Sequence, residues 1–205
     1  MTNFRLLALA FALTLAPLLF FSNWGYVELA AVFTSYVCTF LCVTQSRVNF
    51  VWGAVTTALY FWLLWTAELK GLALFNLVLS GTLVWGWFRW SPAVERPVRD
   101  LNGAVFLVVL LLIPLFTWFL QSRLDLSLGD AVVTAASVQA QVLLVLKYRQ
   151  TWIVWAGLNV LTIWLFFSEG LNLAGTQYLV FLVNTWFGWR AWSKTMEVNI
   201  GARSY

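Results

Sequence analysis

Residues 28–92 and 130–194 align with each other at a constant offset of 102 residues, with no gap. Glu28 pairs with Asp130, Ser35 with Ser137 and Arg47 with Arg149. Gly86-Trp87 pairs with Gly188-Trp189, and Trp90-Ser91 with Trp192-Ser193. Such self-similarity constrains the fold before any single motif does, because each copy must build the same supersecondary unit. Each copy carries three apolar segments, so the repeated unit is a three-helix bundle.

The medium of the fold follows from composition. Of 205 residues, 62% are hydrophobic and only 10% are charged, whereas a soluble domain is about a quarter charged. Too little polar surface exists to cover a globule in water. Eight hydrophobic segments can be placed, at roughly 5–22, 25–45, 49–67, 72–90, 103–121, 129–147, 151–168 and 172–192. Several approach the ~20 residues that cross a hydrocarbon core. Helix is the required reading, because backbone groups in lipid must bond within their own segment. The first segment resembles a signal peptide, with Arg5 before an apolar stretch, but no small-residue cleavage site follows and a retained helix is expected.

The expected fold is an all-α polytopic membrane protein of about eight transmembrane helices. Its organisation reads as an N-terminal helix (1–23), a first bundle (24–92), a loop with an inverting helix (93–128), a second bundle (129–194) and a cytoplasmic tail (195–205). One extra crossing between two three-helix units gives both units the same orientation, a parallel 3+1+3 repeat. The charges test this count. With eight crossings, Arg5, Arg47, Arg89, Arg96, Arg99, Lys147, Arg149, Arg190, Lys194 and Arg203 fall on one side, and only Lys70 and Arg123 on the other. The basic side is cytoplasmic, so both termini are expected inside. The net charge of +4 is then a matter of topology. It is not a nucleic-acid signal, since the basic residues form no stripe.

No catalytic constellation is visible. The chain has no histidine, and it shows neither a mid-membrane acidic pair, a phosphate loop nor a metal-ligand cluster. No enzyme activity, metal or cofactor is expected. Cys38 and Cys42 share one helix face and read as small apolar packing residues, because no other soft ligand accompanies them.

Neutral polar residues inside apolar helices are the candidates for function. They are Thr57, Asn76, Gln139, Gln141, Asn159, Tyr178 and Asn184. Polar groups facing lipid are costly, so these should face the interior. For any one of them an interhelical hydrogen bond, about 0.6 kcal/mol on average, is a sufficient account. As a group gathered in the repeat helices, they favour a ligand site. Trp152, Trp155 and Asn159 share one helix stripe. Two aromatic faces beside an amide suit a flat, polar, cationic ring. Interfacial anchoring is the alternative for Trp152. Glu28 and Asp130 begin equivalent helices near the outer surface, where a carboxylate either favours the helix start or forms an outer gate. A membrane scaffold without a solute is the competing reading for the whole chain.

Taken in order, several pieces resemble the Pnu family of bacterial vitamin transporters, of the nicotinamide riboside transporter type. They are Trp24-Gly-Tyr-Val-Glu28, Asn49 with Gly53, Trp85-Gly86-Trp87-Phe-Arg-Trp90, Asp130 and Lys147-Tyr148. Trp152-Ile-Val-Trp155-Ala-Gly-Leu-Asn159, Glu169-Gly170, Tyr178 and Gly188 through Trp192 continue the series. The resemblance implies a 3+1+3 plan similar to SWEET sugar transporters. It also implies a homotrimer in the bacterial inner membrane, and facilitated diffusion of a vitamin that a cytoplasmic kinase then traps by phosphorylation. Nicotinamide riboside is the expected substrate and thiamine, or another vitamin or nucleoside of the family, the alternative. Asn76 stands where nicotinamide riboside members tend to carry glutamine, and Gln139, Gln141 and Asn184 are additions to their pattern.

Overall fold

The structure, a computed structural model, describes residues 26–66, 70–93, 96–124, 126–168 and 172–201. Seven helices occur among them: α1 (Tyr26–Val43), α2 (Asn49–Thr66), α3 (Lys70–Arg89), α4 (Gly103–Leu124), α5 (Leu128–Val145), α6 (Thr151–Ser168) and α7 (Asn172–Gly201). Each lies close to a hydrophobic segment expected from the sequence. The segment at 5–22 and the acidic residues Glu68, Asp125 and Glu169 lie outside the described residues. By length and composition alone, α1, α4 and α5 suffice to cross a membrane.

The chain divides into two compact units, residues 1–94 and 95–205. In the first, α1, α2 and α3 pack in sequence; in the second, α4, α5, α6 and α7 do so. Helix α4, expected as a separate inverting linker, packs with the second unit. Four hydrogen bonds tie its leading segment there. Arg99 N donates to Lys147 O (3.0 Å) and Arg149 N to Arg99 O (3.0 Å), while the Gln150 side chain spans Leu101 N (3.1 Å) and Leu101 O (3.2 Å). Arg149 adds a two-pronged contact to Asp100, at 2.9 and 2.7 Å, the geometry that suits a guanidinium fork.

Helix starts keep the sequence offset: residues 26, 49 and 70 open α1–α3, and residues 128, 151 and 172 open α5–α7. The turns agree in detail. Gln45 and Lys147 both take a left-handed backbone, φ 56° and 58°. Ser46 N reaches back to Leu41 O (3.0 Å) and Tyr148 N to Leu143 O (2.9 Å). This is the helix-ending motif that usually employs glycine. Here two larger residues accept the αL strain, of about 1 kcal/mol or more, at corresponding positions.

Burial of apolar surface drives little between helices in lipid, so close backbone approach and interhelical bonds must hold such a bundle. Both units use glycine for this. A Cβ on Gly86 would collide with the Phe50 ring, and one on Gly188 would lie 2.5 Å from the Trp152 indole. Trp90 meets Phe50 edge-on at 4.9 Å, and Trp192 meets Trp152 at 5.5 Å. Arg47 stacks on Trp87 (3.7 Å) and Arg149 on Trp189 (4.2 Å). Cys38 and Cys42 are free thiols, and Cys38 Sγ packs against Gly53.

The last helix of the second unit outruns its expected end. α7 continues to Gly201, through residues expected to form a tail from 195. No glycine or proline interrupts Ser193–Ile200, so nothing breaks the helix before Gly201. Along α4, Leu107, Leu111, Leu115 and Trp118 point outward, as an apolar helix does when lipid is its solvent.

Candidate functional site

The second unit gathers most of the candidate polar residues. On α7, Gln177, Val180, Asn184, Gly188 and Trp192 are all buried. Their spacing of three or four places them on one helical stripe. On α6, Trp152 and Asn159 are buried and lie seven residues apart, again one stripe. Trp152 packs on Gly188 and Trp192, which fixes the register between the two stripes.

The seam can then be followed. α6 and α7 are joined by the short connection 169–171 and run antiparallel. Two turns beyond Trp152 on α6 is Asn159; two turns back from Gly188 on α7 is Phe181. Asn159 therefore lies level with Phe181, flanked along the α7 stripe by Asn184 and Gln177. Asn159 is 2% exposed and makes no hydrogen bond to another described residue. An amide in that condition is expensive in an apolar medium. The buried threonines of α6 do not share the condition. Thr162 donates to Leu158 O (2.9 Å) and Thr151 to Ala140 O (2.8 Å).

The remaining candidates divide by what they touch. Trp155 is half-buried against Ala140, Leu143 and Val154. Tyr178 is half-buried and meets Phe181 edge-on at 5.5 Å. Gln141 is half-buried. Trp152 is a packing residue at the α6–α7 crossing, enclosed by Gly188 and Trp192. Gln139 is engaged by α4: with its amide oriented to satisfy both groups, Nε2 donates to Val109 O (2.7 Å) and Oε1 accepts from Ile113 N (3.1 Å). The reason is Pro114 inside α4. Proline lacks an N–H and displaces the carbonyl of the preceding turn, and a side-chain amide inserted into the opened ladder restores its bonds.

In the first unit, Thr57 donates to Ala54 O (3.0 Å), and Asn76 is half-buried on α3. Glu28 is half-buried in the first turn of α1. Asp130 is exposed in the first turn of α5, beside the N-cap Ser127. Ser127 Oγ accepts from Asp130 N (3.1 Å) and donates to Asp130 Oδ2 (2.7 Å), which satisfies one otherwise orphaned N–H at the start of α5. That bond accounts for an acid at this position without a gate.

Sequence reasoning missed Gln177, Thr134 and Thr162, all buried. The seven-residue step from Gln177 to Asn184 carried the signal for the first. Thr134 and Thr162 gave none, since a helical threonine commonly satisfies itself on the preceding turn.

Apolar helices bundled around buried, neutral polar residues define a multi-pass helical membrane protein of the transporter class. More particularly, the chain belongs to the family described as nicotinamide mononucleotide transporter, whose profile matches residues 25–194. This is a family of transporters and not of enzymes. The nicotinamide riboside transporter PnuC of Haemophilus influenzae is 25% identical over 85% of each chain. That of Neisseria mucosa is 23% identical over 98% of this chain and 84% of its own. In fold, the chain resembles the crystal structure of the vitamin B3 transporter PnuC, with a TM-score of 0.76, 24% identity, and 93% and 90% of the two chains covered. The Pnu resemblance seen in the sequence is thereby borne out.

Proposed function

We propose that this protein takes up nicotinamide riboside by facilitated diffusion across the bacterial inner membrane. The observation that carries the reading is Asn159: a buried amide without a hydrogen bond among the described residues, one stripe along from an aromatic pair, in a chain of this family. Trp155 stacks on the pyridinium ring, since an aromatic face attracts a flat cation. Asn159, Gln141, Tyr178 and Asn184 bond the ligand's polar groups. Glu28 remains the candidate for an outer gate.

The family's description names the mononucleotide, but the chemistry favours the riboside. Every buried polar residue among those described is neutral. A phosphate brings a charge of about −1.5 to −2 and is ordinarily met by arginine or lysine. The same neutrality suits a uniporter, in which trapping by a cytoplasmic kinase draws the vitamin inward. The architecture belongs to the proposal too: a SWEET-like 3+1+3 parallel repeat with both termini cytoplasmic, assembled as a homotrimer. The shared 102-residue offset of helix starts, αL turns and glycine–aromatic contacts supports the duplication.

Tryptophan fluorescence of the purified protein, titrated with nicotinamide riboside, the mononucleotide, thiamine and riboflavin, tests the reading. Quenching by the riboside is expected at concentrations where the mononucleotide gives none. Asn159→Leu should abolish binding while the protein melts as before. Silence across all four compounds would favour a scaffold without a solute, and unchanged affinity in Asn159→Leu would remove the site.

A further inference from the structure

Gln177 is a buried amide that the candidate site does not yet use. It is 5% exposed and makes no hydrogen bond to another described residue. Interhelical bonding, the ordinary reason for a polar side chain in a membrane helix, therefore does not account for it. A glutamine amide carries two donor hydrogens and an acceptor oxygen. Keeping these unpaired in an apolar setting is unfavourable unless something else supplies the partners. Its place on the seam indicates what that is. Gln177 shares the inward stripe of α7 with Asn184, and in the antiparallel register set by Trp152 on Gly188 it lies level with Ile163 of α6. Trp155 is eight residues from that level, about 12 Å along the helix axis at 1.5 Å per residue. Asn159 falls midway. A ligand whose ring lies on Trp155 thus presents its other end, not its ring, to Gln177.

We propose that Gln177 binds the sugar hydroxyls of the transported riboside, and so sets the preference for a ring that carries a ribose over the ring alone. This rests on the function proposed above. Amide and vicinal hydroxyls are complementary, since each hydroxyl both donates and accepts. Stacking at Trp155 recognises the ring; the amide one stripe away measures whether a sugar is attached.

The test compares wild type with Gln177→Leu, which is close in volume and cannot hydrogen-bond. Each is titrated with nicotinamide riboside and with free nicotinamide, and its melting temperature is measured without ligand. The expected result has three parts. Affinity for the riboside falls about tenfold, the effect of losing one good hydrogen-bonded pair. Affinity for free nicotinamide does not change. Melting is unchanged or raised, because an unbonded amide has been removed from an apolar interior. Equal losses for both ligands overturn the assignment to the sugar. Unchanged affinity for the riboside overturns it as well, as does a variant that melts lower, which makes the amide structural. If wild type itself binds no riboside, the transport reading falls and takes this one with it. That outcome is distinct, because it appears before any substitution is made.

Discussion

Replacing Gly188 with alanine should open the α6–α7 seam. The new Cβ would lie 2.5 Å from Cδ2, Cε2 and Cε3 of Trp152, where carbon atoms prefer about 3.5–4.0 Å. Those atoms belong to the middle of a fused ring, not to a flexible tip. Trp152 is 4% exposed and Trp192, which meets it edge-on, is fully buried, so neither can swing aside. The helices must separate by about 1 Å, and overpacking of this kind costs about 1–3 kcal/mol. Alanine also gains about 1 kcal/mol over glycine in helix propensity, which masks part of the loss. Gly157→Ala removes that ambiguity. Gly157 is exposed on α6 and has nothing within 4 Å of a Cβ, so it collects the propensity gain without strain. The two variants should differ by the strain alone, about 1–3 kcal/mol, or roughly 2–12 °C in melting temperature for a chain of this size. Intrinsic fluorescence melts in detergent measure this. Adding Trp152→Leu to Gly188→Ala should lose less than the two changes separately, as contacting residues do. A Gly188→Ala protein that melts at or above Gly157→Ala would refute the close-approach argument and, with it, the register that aligns Asn159 with Asn184 and Gln177.

Two further outcomes follow from side chains that serve the helices themselves. Gln139→Leu should destabilise the protein by about 1–3 kcal/mol, because it leaves the α4 ladder unsatisfied beside Pro114; in a Pro114→Leu background that loss should shrink, and a double-mutant melt showing no coupling would reject the bridge. Ser127→Ala should lower stability by about 1 kcal/mol through loss of the cap, whereas Asp130→Asn should leave riboside uptake into vesicles within twofold of wild type; a drop of tenfold or more would restore Asp130 as a gate.

Much of the fold could be read from the chain because lipid leaves so few options. A segment such as Thr151–Ser168 has no charged residue and no proline, so in a bilayer it can only be a helix, and its ends coincide with those expected. The end of α7 was less legible: hydrophobicity stops near Trp192, but the helix does not, since Lys194 and Glu197 are as helical in water as leucine is in lipid. The site was legible only as a set of residue types. Asn159 and Gln139 look alike in sequence, each one amide in an apolar helix. The fold separates them, because Gln139 meets an opened turn at Pro114 and Asn159 meets no such partner.

By itself the sequence determined the medium, the helices and the repeated spacing, since each of these depends on local composition and on the rule that backbone groups in lipid must bond within their own segment. Tertiary structure alone decided which amides are occupied and which are held open. That depends on register across helix pairs, and register is set here by single contacts such as Trp152 on Gly188, made between residues 36 positions apart in the chain, whose meeting no local pattern encodes.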